Sequence, residues 1–426
     1  MLSYFIISAL SAANCANAAQ VDDSKPIRQP TEISDLVDNP AEQEPVAGNK
    51  GYQIPNLPKP RGNIVRVSNV SELENAVRNL QSDTTVLVAP GTYKLNGTFW
   101  IKDKKNISIR GQTNNPSDVV LVGKGMRKQG STPHGVKGHN VNGFQIANIT
   151  IRDVYNHSIQ IDGNSTNIHI HNCHLIDAGE QFIKVCPDPN GNFSTGIVEY
   201  TTMEYTTTAR GTYTQGVDVH RGRNWIIRNN TFKNIRAPKG LAGPAILMWN
   251  KSEGTLCEGN IFFNCQRGIH YGMSDKRQPY DHKGGIIRNN VFYRSRDQSG
   301  DVGIAIWNSP ETQILHNTII LSGTYSNAIE YRFSQTHGHE IIANLCDAKV
   351  RNRGAGQGIV SDNITNARPN WFADPSKNDF HLTPAASESI DKLKPHQDVS
   401  RDYDGIKRPV GKAADIGAFE YNPKRR

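Results

Sequence analysis

Ile286-Ile287-Arg288-Asn289-Asn290-Val291-Phe292 is one copy of a phrase that recurs along the chain: apolar residues, an Asn, then apolar residues again. Further copies surround Asn148, Asn172, Asn230, Asn260, Asn317 and Asn344. From Asn230 through Asn260, Asn290 and Asn317 to Asn344 the gaps are 30, 30, 27 and 27 residues, a period that marks a solenoid. Short β-branched and aromatic runs of period two flank each Asn, and no stretch carries a long 3.6-residue period. Asn tolerates the left-handed backbone of a tight turn. Coils stacked at the strand spacing of about 4.8 Å let Asn amides bond above and below. The expectation is an all-β chain: a single-stranded, right-handed parallel β-helix, with an Asn ladder at one corner. The gap of 58 residues from Asn172 to Asn230 is about two repeats and predicts an inserted loop or an extra coil.

The 426 residues carry 48 Lys and Arg against 40 Asp and Glu, a formal net charge of +8. A solenoid can be one domain at this length. Mild basicity fits plain solubility or an acidic partner, and charge alone does not choose. Residues 4–13 are apolar and Ala16-Asn17-Ala18 follows as a cleavage pattern, so 1–19 reads as a signal peptide and the protein as secreted or periplasmic. That run is too short to span a bilayer, and no later stretch could cross one. Residues 20–62, with seven prolines, read as a flexible linker. Ser71-Glu72-Leu73-Glu74 has a capping-box pattern, with Leu73, Ala76, Val77 and Leu80 on one helical face. A short helix followed by the strand Thr85–Ala89 is expected to plug the N-terminal end of the coils. Coils are expected over 63–368, with 369–426 packing on them, in a monomer. Five cysteines remain after the signal (Cys173, Cys186, Cys257, Cys265 and Cys346), so at least one thiol is free or pairs between chains. None has the spacing of a zinc site.

Pro90-Gly91-Thr92-Tyr93 leads into the coils, and Asp379–Pro384, Asp402-Tyr403-Asp404-Gly405 and Asp415–Glu420 end the chain. With the helix and the Asn phrases, this order resembles the secreted right-handed β-helix proteins, among them pectate lyases and chondroitinase B-like and alginate lyase-like enzymes. The resemblance covers roughly 64–421. It implies the fold, and a superfamily that contains lyases, hydrolases, epimerases and non-catalytic surface proteins.

Functional side chains are densest between Asp177 and Arg267. Strand alternation puts Glu180, Phe182 and Lys184 on one face, and Gln181 and Ile183 on the other. Residues 187–216 read as the insertion, a groove wall holding Glu199, Arg210 and Tyr213. Asp218 and His220 share a face, where the carboxylate can orient the imidazole as a base. Arg210, Arg221, Arg223, Arg228, Lys233, Arg236 and Lys239 make 207–240 basic, beside Tyr213, Trp225 and Trp249. Cations and aromatic rings together suit an acidic polysaccharide; an exported address argues against nucleic acid. Trp225 opens an apolar strand phrase and is expected in the core. His157, His169, His171 and His174 have no metal spacing and are expected at exposed positions or turns.

The reading is an exported protein that binds an acidic polysaccharide and cleaves it by β-elimination at a uronate. Lys184 or His220 is the expected base, Arg267 the neutralising cation and Tyr213 the acid. Asp218 belongs with the catalytic group. Glu180, Gln181, Arg210, Arg221, Arg223, Trp249 and Asn250 are expected to contact substrate. The resemblance implies a Lys or Arg base, often with Ca²⁺, for which Asp177, Glu180 and Asp218 are the candidate ligands. Two rivals stay open. A glycoside hydrolase could pair Asp218 with Glu180 or Glu199, about 5–9.5 Å apart; a surface protein would bind glycan without cleaving it.

Overall fold

Successive turns of the chain each lay down three short strands, and corresponding strands stack in parallel. The computed structural model describes residues 54–424 apart from 189, 277 and 278; the signal-peptide expectation for 1–19 lies outside the described residues. A first sheet of twelve strands runs from Asn63–Val67 to Gln357–Ser361. A second of ten strands runs from Gly91–Lys94 to Leu345–Cys346, and a third of ten from Phe99–Lys102 to Lys349–Asn352. The architecture is a right-handed parallel β-helix.

Its interior is built from residues in register. Ile146, Ile170, Val198, Ile227, Cys257, Ile287, Ile314 and Ile341 form one buried apolar column on the first sheet. Phe232, Phe262 and Phe292 stack nearly parallel, with centroids 4.8 and 4.4 Å apart. Four described cysteines, Cys173, Cys257, Cys265 and Cys346, are buried free thiols.

The corner after the first sheet explains the Asn phrase. Its first residue is left-handed: Asn148, Asn172, Asn229 and Asn289 have φ of 56, 48, 55 and 50°. The next residue carries the ladder. The side-chain oxygen of Asn260 accepts from the backbone N–H and amide of Asn230 at 3.1 and 3.0 Å. Asn290, Asn317, Asn344 and Asn363 continue the same pattern. Asn148 and Asn172 therefore belong one position earlier than the ladder. The 58-residue gap holds one full extra coil with strands Gly196–Glu199 and Thr202–Glu204, and Tyr200-Thr201 stands at its corner. Thr201 keeps the link, donating its N–H to Asn230 and accepting from the N–H of Cys173.

At the N-terminal end the helix Val70–Arg78 buries Leu73 and Val77, with Leu80 just beyond. Its cap is Asn69, which accepts from the Glu72 N–H at 3.0 Å while Glu72 accepts from the Ser68 N–H at 2.8 Å. The capping box thus starts two residues before Ser71. The segment preceding the first strand lies along the first sheet, where Pro58 O accepts from Arg110 and Pro55 O meets His171 Nε2. Beyond the coils, Trp371, Phe372, Phe380 and Phe419 pack with Val291, Ile320 and Leu345, covering the outside of the second sheet. Among the described residues, the contacts of these two segments named above fall on the first and second sheets.

Candidate functional site

Four strands of the third sheet share one rhythm: Val136-Lys137-Gly138-His139, Ile159-Gln160-Ile161-Asp162, Ile183-Lys184-Val185-Cys186 and Val217-Asp218-Val219-His220. Val136, Ile159, Ile161, Ile183, Val185, Val217 and Val219 point into the core, so the residues between them project outward. Cross-strand register lines up Trp100, Lys137, Gln160, Lys184 and Asp218 in one outward column.

Lys184 and Asp218 meet within that column. Lys184 Nζ lies 2.6 Å from Asp218 Oδ2 and 2.8 Å from His220 Nε2. The other Asp218 oxygen accepts from Trp249 Nε1 at 2.9 Å and lies 3.6 Å from His220 Nε2. The Asn250 amide is 2.7 Å from His220 Nδ1, and the His220 ring packs on Trp249 with centroids 4.6 Å apart. Tyr213, half-buried on the preceding turn, covers Lys184, whose Nζ is 5.9 Å from the ring centre. The side chains of Lys184, Asp218 and His220 are only 3, 1 and 3 % exposed.

The charges follow from these contacts. Burial works to deprotonate Lys184, but Asp218 and Tyr213 outweigh it and hold its pKa above the ordinary lysine value. Lys184 Nζ faces His220 Nε2 and the Asn250 side-chain nitrogen faces Nδ1, so the ring stands between two nitrogen donors. Burial pushes the Tyr213 phenol up, against the pull of Lys184. On the rim, Glu180 accepts from Arg210 at 2.7 Å and lies 3.5 Å from His157 Nε2. Burial raises the Glu180 pKa despite Arg210 and Lys184. His157 is driven well below the usual imidazole range by burial, with His134 and Lys184 adding to it.

The structure therefore brings together Lys184, Asp218, His220, Tyr213, Trp249 and Asn250, with Glu180 and Arg210 beside them. Other expected residues lie elsewhere. Gln181 is fully buried and donates to Gln215 at 2.7 Å, next to Phe182 and Ile183, which both enter the core. Arg221 and Arg223 pack on Phe193 at the next corner, and Arg223 pairs with Glu253. Arg267, three coils from Lys184, is buried against Asp301 at 2.9 Å. Arg228 lies on the first sheet against Glu199 at 2.7 Å, and Lys233 on the second near Glu204. The basic run is spread over different faces because one coil wraps right round the axis. Trp225 is fully buried, as its strand phrase implied.

Asp177, Glu180 and Asp218 do not converge as a Ca²⁺ cage. Asp177 is spent on the N–H groups and hydroxyl of Thr206 and Thr207, Glu180 on Arg210 and Asp218 on Lys184. Among the described residues the one group with ligand atoms gathered is His169, His171 and Glu199, on the first sheet. Both rings meet the same Glu199 oxygen at 2.9 Å, and Arg228 occupies the other. A cation there would face that guanidinium, so the group is a closed hydrogen-bond network. Glu199 is also on a different sheet from Asp218, which removes that pair from the hydrolase reading. His157 and His171 are buried rather than exposed.

No family model matches the chain, and no curated protein sequence matches it. Solved structures do. An alginate lyase from Paenibacillus sp. str. FPU-7 aligns at TM-score 0.51 and 15% identity, covering 71% of this chain and 99% of that one. The likeness shows the fold. Pectate lyase Pel9A aligns at TM-score 0.48 and 11% identity, over 84% of this chain and 96% of that one. A tailspike of an E. coli bacteriophage, solved with a pentasaccharide, aligns at 0.48 and 16%, over 73% and 61%. The residues most easily missed from sequence are Trp100, Lys137, Gln160 and Asp162. Their signal was the four-residue alternation, which aligns with Ile183–Cys186 and Val217–His220 without a gap.

Proposed function

We propose that the outward face of the third sheet binds an acidic polysaccharide and cleaves it by β-elimination at a uronate. The observation that carries this reading is the Asp218–Lys184–His220 cluster beneath Tyr213: a cation held by a carboxylate, an imidazole against it and a phenol over it. Elimination needs a cation on the uronate carboxylate to acidify the C5 proton, a base for that proton and an acid for the leaving O4. Lys184, kept charged by Asp218, supplies the cation, and binding swings Tyr213 aside to admit the carboxylate. His220 Nε2 takes the C5 proton. The C5–H electron pair becomes the C4–C5 double bond as C4–O4 breaks, and the Tyr213 hydroxyl gives its proton to O4. Asp218 steadies the imidazolium. Lys184 is thus a poor base in this setting, since its own proton is held by Asp218. The shared fold with an alginate lyase supports the substrate class only at the level of architecture. Export follows from the apolar run at 4–13 and belongs to the same proposal.

The test is the purified protein on a panel of anionic glycans, read by ultraviolet absorbance of unsaturated sugar ends. Absorbance growing on a uronate polymer is the expected result. Saturated reducing ends would move the reading to hydrolysis by Glu180 and Asp218, and no product on any member would overturn cleavage.

A further inference from the structure

The outward column does not end at Lys184. Toward the N-terminal end of the third sheet it continues through Gln160 and Lys137 to Trp100. Trp100 is 61 % exposed, whereas Trp225, Trp249, Trp307 and Trp371 are all buried. The chain has five tryptophans, so Trp100 alone faces solvent. Exposing an indole costs hydrophobic free energy that burial would recover. Lys137 Nζ lies 5.5 Å from the Trp100 ring centre and 2.8 Å from Asp162 Oδ2. Gln160 donates to both Asp162 oxygens at 2.9 and 3.1 Å. An aromatic face, an ammonium, a carboxylate and an amide therefore follow one another toward the cluster at Lys184. Trp100 is three coils from Lys184, about 14 Å at the strand spacing.

We propose that Trp100, with Lys137, Gln160 and Asp162, forms a distal subsite for an acidic pyranose unit of a polymer whose reacting unit lies at Lys184. The sugar's C–H face stacks on the open indole, its carboxylate is met by Lys137, and its hydroxyls bond Asp162 and Gln160. This rests on the reading of the Lys184 cluster as a uronate site. It adds a requirement on chain length: only an oligomer long enough to cover three coils reaches the indole. Trp100 is then a binding residue that favours long over short chains and takes no part in bond breaking.

The position gives a clean optical test, because iodide in solution quenches exposed tryptophan and reaches Trp100 almost alone. Iodide quenching and affinity are measured on the whole protein with uronate oligomers of increasing length, then repeated with Trp100→Ala and Trp100→Phe. Expected are protection from iodide by long oligomers and none by the shortest that bind. Trp100→Ala should lose about tenfold in affinity for long oligomers, a loss that shrinks as the oligomer shortens, and Trp100→Phe should recover part of it. Equal affinities of wild type and Trp100→Ala for long chains would overturn the subsite while leaving the Lys184 reading intact. Protection that rises with protein concentration, without glycan, would assign the indole to contact with a second copy and overturn it too. Failure of the wild type to bind any uronate oligomer would overturn both.

Discussion

Lys184 shows how far a contact list alone can decide a role. Its ammonium is buried with one carboxylate, one imidazole and one phenol as partners. Removing it leaves Asp218 charged in a site closed to water, a change that typically costs 3–5 kcal/mol. Lys184→Ala is therefore expected to lower the melting temperature markedly, and adding Asp218→Asn should recover much of that loss in thermal unfolding. His220→Ala leaves the Lys184–Asp218 ion pair in place. It should keep most of the stability and the polymer affinity while turnover falls about 10²–10⁴-fold; full activity in that variant would remove His220 as the base. The pH sign for the pair follows from Lys184. A lysine whose folded pKa is raised contributes stability below its unfolded pKa, and that contribution is lost as pH rises through the folded value. The Lys184 side of the pair should accordingly hold across neutral pH and give way in strong alkali.

Among elements, the corner ladder is the one that the sequence phrase describes most directly. Asn290 accepts from two groups of Asn260 and donates to Asn317, Cys257 O and Arg288 O. Asn290→Ala should leave several buried polar groups without partners and cost about 1–3 kcal/mol, read as a lower denaturation midpoint; an unchanged midpoint would deny the ladder its structural role. The C-terminal segment gives a second element-level prediction. Burial, with Asp404 adding to it, pushes the Asp402 carboxyl up to about 6 from a usual 3.8. The folded segment therefore binds more protons than the unfolded chain between those values, and its stability falls as pH rises through that window. Protection factors over 369–424, with the intrinsic pH dependence of exchange divided out, should be higher at pH 4 than at pH 7. Asp402→Asn should flatten that difference.

For the whole molecule the consequence is a division of labour among three faces. The first sheet carries closed polar networks and the N-terminal arm, and the second carries the C-terminal segment. The third carries the row from the exposed Trp100 to the buried Lys184 and Asp218, which Tyr213 covers. Binding of an acidic polymer along it would draw on Lys137, Lys184 and Arg210 rather than on the whole net charge of +8. Affinity should fall as salt rises, but gently, since Lys184 is shielded from solvent and screening acts mainly on exposed charges. A salt dependence as steep as that of a broad polycation would point to a different face.

The sequence by itself determined the solenoid. A repeat writes its period directly into the chain: a left-handed corner residue, often Asn, is followed by an Asn whose amide bonds its copies above and below. Local signals served the helix too, whose apolar face read correctly although its cap lay two residues earlier. Between an inserted loop and an extra coil in the 58-residue gap the sequence left the choice open, because at 200–201 Tyr and Thr do what Asn does at the other corners. Which side chains meet was decided only by tertiary structure. Lys184, Asp218 and His220 share a strand rhythm legible in sequence, yet their contact depends on cross-strand register between coils 34 residues apart. Arg221, Arg223, Arg228 and Lys233 are near neighbours in sequence but are carried to different faces, because about thirty residues complete one turn of the coil. Adjacency along the chain places residues around the axis; adjacency along the axis, where a polymer would lie, comes only from stacking.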